Sequence, residues 1–174
     1  MEARPSPTLS IQRNRTRPGF QLVAQQTLTA SRADVFAFFA DAFQLERITP
    51  PWLHFAVLAS RPLEIDEGAV IDYRLRLRGL PLRWRSRIRD WRPPLRFVDE
   101  QLRGPYRRWY HEHTFLEDGP NTIVRDTVDY NVPGGALVHG LFVKHDLRRI
   151  FLFRQQALSE LFARSVAPNQ CEEP

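Results

Sequence analysis

The chain of 174 residues is long enough for one domain with a substantial core and short for two. Its 43% hydrophobic, 11% aromatic and 26% charged residues give a globular balance, which excludes a disordered, collagen-like or disulfide-stapled chain; the one cysteine, Cys171, has no partner for a disulfide or a zinc knuckle. The net charge of +5 comes almost wholly from arginine, with Lys144 the sole lysine, and no apolar run approaches the roughly 20 residues of a membrane span.

Residues 1–19 hold Arg4, Arg13, Arg15 and Arg17 against Glu2, punctuated by Pro5, Pro7, Pro18 and Gly19. They lack the apolar stretch of a secretory signal and read as a disordered or extended basic tail, with the domain spanning 20–164 and a flexible tail over 165–174. Phe20–Thr29 reads as a first strand. Ser31 and Asp34 then have capping-box spacing, starting a helical segment that carries Val35, Phe36, Phe38 and Phe39. That segment runs through Leu45 and Ile48 to a stop at Pro50-Pro51. Strands follow near 53–60, 70–78, 82–91, 95–102, 107–117 and 121–132, broken by short Gly- and Pro-bearing turns, the pattern of an antiparallel meander. Within it Arg74, Arg76, Arg78, Arg83, Arg85, Arg87 and Arg89 alternate with Ile71, Tyr73, Leu75, Leu77, Leu82, Trp84 and Ile88, so the arginines read as one solvated outer face, with a phosphate- or lipid-headgroup-binding face as the alternative. This spread of charge, without a dense basic stripe or a reading module, argues against nucleic-acid binding. After Pro133-Gly134-Gly135 the period changes. Leu147, Ile150, Phe151, Leu158, Leu161 and Phe162 fall on one face of a helix over 137–164.

A curved antiparallel sheet of about seven strands and one long apolar-faced C-terminal helix bury both faces only when the helix lies across the concave side, leaving a tunnel between them. The predicted class is α+β. This order of elements, with "ASRADVFAFFAD" (30–41), "ITPPWLHF" (48–55), "IDYRLRLRGLPLRWRSRI" (71–88), "FVDEQLRGPYRRWYHEHTF" (97–115) and "HDLRRIFLFR" (145–154), resembles the START-like helix-grip (SRPBCC) superfamily. Lipid-transfer START domains, polyketide aromatases/cyclases, coenzyme-Q-binding proteins and pollen-allergen-like proteins share that fold. The resemblance implies a ligand cavity and carries over no catalytic residue.

The residues offer their own chemistry. Trp109, His111, His113 and Phe115 alternate along one strand, and their aromatic character places that face inside. On the preceding strand Asp99 and Gln101 are within hairpin reach of these histidines. Asp126 sits among Val124, Val128, Tyr130 and Val132, and a buried carboxylate there needs a histidine or an arginine as partner. Arg154, between Phe151 and Leu158 in the helical stripe, is the candidate arginine. Three readings stay open for this constellation: mutual structural satisfaction, orientation of the polar end of an apolar ligand, and acid/base catalysis by a histidine–aspartate pair drawn from His111, His113, Asp99 and Asp126. Two histidines at i,i+2 can also share a metal, and Gly104…His111-Glu112-His113…Glu117 loosely resembles a first cupin motif. The gap from glycine to histidine is off by one and no second motif follows, so neither metal nor other cofactor is expected. No nucleophile elbow and no phosphate-cradling loop is present.

The resulting expectation is a binding protein for a small hydrophobic molecule (a lipid, quinone or polyketide-like compound), with a cyclase/dehydratase-like enzyme as the alternative. Trp52, Tyr73, Trp84, Gln101, Trp109, His111, His113, Tyr130, Phe151 and Arg154 are the expected ligand contacts, and Trp52 is placed at the tunnel mouth. The chain is expected to be cytoplasmic, without membrane insertion, and monomeric or dimeric.

Overall fold

A computed structural model describes residues 6–164, so the expected C-terminal tail and Cys171 fall outside it. Eight strands form one antiparallel sheet: β1 (Thr8–Arg13), β2 (Phe20–Leu28), β3 (Ala56–Val57), β4 (Val70–Leu77), β5 (Leu80–Arg92), β6 (Arg96–Arg103), β7 (Arg108–Asp118) and β8 (Asn121–Asn131). Their order across the sheet is β1-β2-β8-β7-β6-β5-β4-β3. The fold is the expected α+β arrangement with a long C-terminal helix.

Three details differ from the sequence reading. The basic N-terminal stretch contributes an edge strand, Thr8 to Arg13 pairing with Gln25 to Phe20. Its weak alternation, with only Leu9 and Ile11 half-buried, hid it. Gly19 makes the return to β2 possible: at φ +120° a Cβ there would run into the Tyr130 carbonyl. The strand expected near 53–60 shrinks to two residues, because Pro51–Leu53 forms a 3₁₀ turn closed by His54 in the left-handed region. The first helical segment also divides, into α1 (Arg32–Phe39) and a 3₁₀ turn over Ala42–Arg47 capped by Asp41.

The capping box at the start of α1 forms as its spacing predicts, the Ser31 hydroxyl oxygen accepting from the Asp34 amide at 3.2 Å. Ser31→Ala should lower stability by about 1 kcal/mol, read as a shifted urea midpoint at unchanged slope.

The C-terminal helix begins with α2 (Gly135–Val138), widens into a π turn over His139–Val143, and continues as α3 (Lys144–Arg164). Leu147, Phe151, Leu158 and Phe162 of α3 are buried. Gln155 docks it on the sheet margin, its side-chain amide donating to the Thr8 and Gln25 carbonyls. Two apolar clusters result. Val35, Phe36, Phe39, Phe97, Phe115, Leu158 and Phe162 belong to one; Phe20, Leu22, Trp109, Val128, Tyr130, Leu147 and Phe151 belong to the other. Arg154 lies on the helix between the buried residues of the two. Arg74, Arg76, Arg83, Arg85, Arg87 and Arg89 are exposed, with Arg85 on Asp72 and Arg89 on Glu100. Arg78 departs from this row and occupies the β4–β5 turn. Among the described residues no helix is long and apolar enough to cross a membrane.

Candidate functional site

Strand alternation sends Tyr73, Leu75 and Leu77 of β4, Leu82 and Trp84 of β5, and Trp109, His111 and His113 of β7 toward α3. Leu147, Ile150, Phe151 and Arg154 of α3 face them. Together with Leu45, Ile48, Thr49, Leu53 and Phe55 from the segment after α1, they enclose a cavity of about 180 Å³. Its aromatic wall is close-packed, Trp84 against Trp109 at 5.4 Å and Tyr106 against Trp109 at 4.7 Å between ring centres.

The inner end of the cavity is polar. Register places Asp99 opposite His111 and His113 opposite Asp126. The His111 Nε2–H donates to Asp126 Oδ1 at 2.9 Å, as an imidazole must when its partner is ionised. His113 Nδ1 comes within 2.8 Å of the same oxygen but outside hydrogen-bond alignment. Arg154 Nε approaches the other carboxylate oxygen at 3.6 Å, while its Nε and one terminal nitrogen are buried without a hydrogen-bond partner. The guanidinium also lies over the Phe39 ring at 5.2 Å. Burial alone would push the Asp126 carboxyl up; Arg154 and the two imidazoles outweigh it and hold Asp126 well below the usual carboxylate range. Burial, reinforced by the neighbouring His111, pushes His113 down to about 3, so it is a neutral imidazole.

A second chain of hydrogen bonds enters from β5: Trp84 Nε1–H donates to Ser86 Oγ at 3.0 Å, and the Ser86 hydroxyl donates to Asp99 Oδ1 at 2.6 Å. Burial raises the Asp99 carboxyl, although Ser86, His111 and Arg154 each pull the other way. Burial and the nearby Asp99 likewise push the Tyr73 phenol up, leaving it neutral in the wall.

Of the ten expected ligand contacts, Tyr73, Trp84, Trp109, His111, His113, Phe151 and Arg154 line this cavity, as does Asp99. Asp126 stands behind them as the common partner of His111, His113 and Arg154. Three residues are placed elsewhere. Trp52 is on the surface, packed edge-on against Phe153 and under the Arg149 guanidinium, because the 3₁₀ turn points Leu53 inward in its place. Gln101 braces the β6–β7 turn by bonding both backbone groups of Tyr106. Tyr130 directs its hydroxyl to His139 Nε2 at 2.9 Å, and that ring stacks on Phe20. Ser86 was the residue missed. It is the one polar side chain in the inward row Leu82, Trp84, Ser86, Ile88, and strict alternation alone marks it.

His111, His113 and Asp126 bring three donor atoms within 4.8 Å of one another, close enough for a shared cation. A positive charge is already built into the site, because Arg154 faces the same carboxylate. The arrangement is a proton-bearing network around one anion, with His111, His113, Asp99 and Arg154 presented to the cavity.

Solved structures share this architecture. Protein Ms6760 from Mycobacterium smegmatis superposes with a TM-score of 0.66 at 14% identity, over 92% of this chain and 99% of its own. A START superfamily protein from the same organism gives 0.59 at 14%, over 84% and 99%. CalU16 from Micromonospora echinospora gives 0.56 at 16%, over 92% and 90%. At such identities the likeness is one of fold. No curated protein sequence matches the chain. The sequence itself decides the family: residues 28–158, running from the end of β2 through the buried face of α3, match the profile described as polyketide cyclase / dehydrase and lipid transport. The chain therefore belongs to the polyketide cyclase / dehydrase and lipid-transport family.

Proposed function

We propose that the protein binds a small, mostly apolar molecule with one hydrogen-bond-accepting end. The carrying observation is the pairing of an apolar, aromatic-walled cavity with a few polar side chains at its inner end, His111, His113, Asp99 and Arg154, the combination that orients the polar end of an apolar ligand. Size narrows the class. A volume of about 180 Å³ matches one aromatic ring system, given that an apolar cavity of about 150 Å³ encloses benzene. A longer lipid would extend out through the mouth.

The test is saturable quenching of the tryptophan fluorescence by 1-naphthol, together with native mass spectrometry of the purified protein for a retained small molecule. Leu82→Trp, which fills the cavity from its rim, should weaken 1-naphthol binding by about tenfold or more with the fold intact. Equal binding by that variant would show that the probe sits elsewhere and would overturn the reading.

One observation favours a second reading. His111 combines cavity exposure with a 2.9 Å hydrogen bond to an ionised carboxylate, the arrangement that sets an imidazole for proton transfer. In a cyclase/dehydratase-like enzyme His111 would move the proton, Asp126 would fix its tautomer, and Arg154 would hold a developing oxyanion. His111→Ala would then abolish turnover while leaving binding within a few-fold.

A further inference from the structure

The most exposed large apolar side chains are not scattered. Leu137 is 71% exposed, Leu80 69% and Leu141 61%, and Phe142 is also open to solvent. Leu80 closes the β4–β5 hairpin opposite Leu77. Cross-strand partners share a face, so Leu80 stands on the cavity side of the sheet, one step outside the cavity-lining Leu77. The other three lie at the start of the C-terminal helix. Arg78 in the hairpin turn joins the two groups: it holds Asp146 through two hydrogen bonds of 2.8 and 3.1 Å and lies over the Phe142 ring at 4.7 Å.

The charge around these residues is mostly positive. Residues 73–89 contain no acid; Arg78 stands in the turn beside Leu80, while Arg76 and Arg83 lie close by on the opposite face of the hairpin. Residues 135–149 contain one acid, Asp146, already taken up by Arg78, against Lys144, Arg148 and Arg149. We propose that this rim (Leu80, Leu137, Leu141 and Phe142 within their collar of arginines and Lys144) docks on an anionic lipid bilayer surface. Projecting apolar side chains and a basic surround are what interfacial binding requires, apolar insertion adding to attraction for anionic headgroups. The same charge disfavours a second copy as occupant, because a symmetric pair would bring two basic collars together. Docking needs no ligand. It does bring the hairpin that carries the cavity-lining Leu77 to the bilayer surface.

The test is co-sedimentation of the full chain with vesicles of phosphatidylcholine and phosphatidylglycerol, against vesicles of phosphatidylcholine alone. Binding to the mixed vesicles is expected, with release near about 0.5 M salt, where screening shortens the reach of the collar. Leu137→Ser/Leu141→Ser should weaken it about tenfold through lost apolar insertion, and Lys144→Glu/Arg148→Glu by a similar factor through lost attraction. Both pairs leave the core untouched, so unchanged melting curves accompany the loss. Absence of binding to the mixed vesicles, equal binding to neutral ones, or full binding by both variants would overturn the proposal. So would a concentration-dependent dimer that Leu137→Ser/Leu141→Ser dissolves, which would assign the rim to a second copy. Retained 1-naphthol binding in the same variants separates a failure of docking from a failure of the cavity.

Discussion

Arg154→Leu should lower folding stability by about 3–5 kcal/mol, toward the lower end, measured by urea or thermal denaturation. The mutation removes the nearest guanidinium from Asp126, a carboxylate 5% exposed whose ionised state depends on that charge. The lower end applies because Nε stands 3.6 Å from the oxygen, longer than the roughly 2.7–2.9 Å of a charge-assisted hydrogen bond. A double-variant cycle identifies the mechanism. Arg154→Leu/Asp126→Asn should recover much of the loss, because removing a whole buried pair costs far less than orphaning one member. A single-variant loss below about 1 kcal/mol, with 1-naphthol binding abolished, would instead make Arg154 a ligand-facing group without a structural share.

Stability should also fall on mild acidification. His113 is held neutral down to about pH 3, whereas an unfolded histidine protonates near 6.5. Between those values the unfolded chain binds more protons, so stability rises with pH through this window and is lost as pH falls. Going from pH 6.5 to 4.5 should cost about 2–3 kcal/mol, seen as a drop of about 5–10 °C in Tm. His113 is faced by His111 from its own strand, Asp126 from β8, Arg154 from α3, and the rings of Phe97 and Phe39 from β6 and α1. Asp126, held low, loses its contribution in the same direction but at more acid pH; Asp99, held high, acts oppositely. His113→Leu should flatten the slope above pH 4.5. Wild-type melting that is level across the window, or a variant with the same slope, would show that protonation of His113 does not drive the loss.

The sequence was legible where its period was strong. Alternation along β4, β5, β7 and β8 sorts the inward rows, and from those rows Asp126 had to meet a histidine or an arginine; it meets both. The interrupted 3.6-residue stripe of α3 likewise singles out Arg154. Legibility failed where position depends on backbone irregularity. The left-handed His54 closing a short 3₁₀ turn rotates Trp52 out and Leu53 in, and no periodicity encodes that rotation. Gln101 has the right parity to face the site, but the Tyr106 backbone two positions beyond Gly104 claims its amide. β1 offers only two apolar residues, too few to distinguish an edge strand from a tail.

The brevity of β3 has a consequence for how the protein behaves in a crowded solution. It pairs with Tyr73 and Arg74 alone, so the length of β4 beyond them is a sheet margin with no partner strand among the described residues. A margin of this kind invites another chain to add a strand and begin a fibre. Here every second residue along it presents a guanidinium, from Arg74 and Arg76 to Arg78 at the turn, and an approaching copy would have to stack its own guanidiniums against these. The arginine row then acts as a guard against self-templating, a duty that requires neither a ligand nor a reaction.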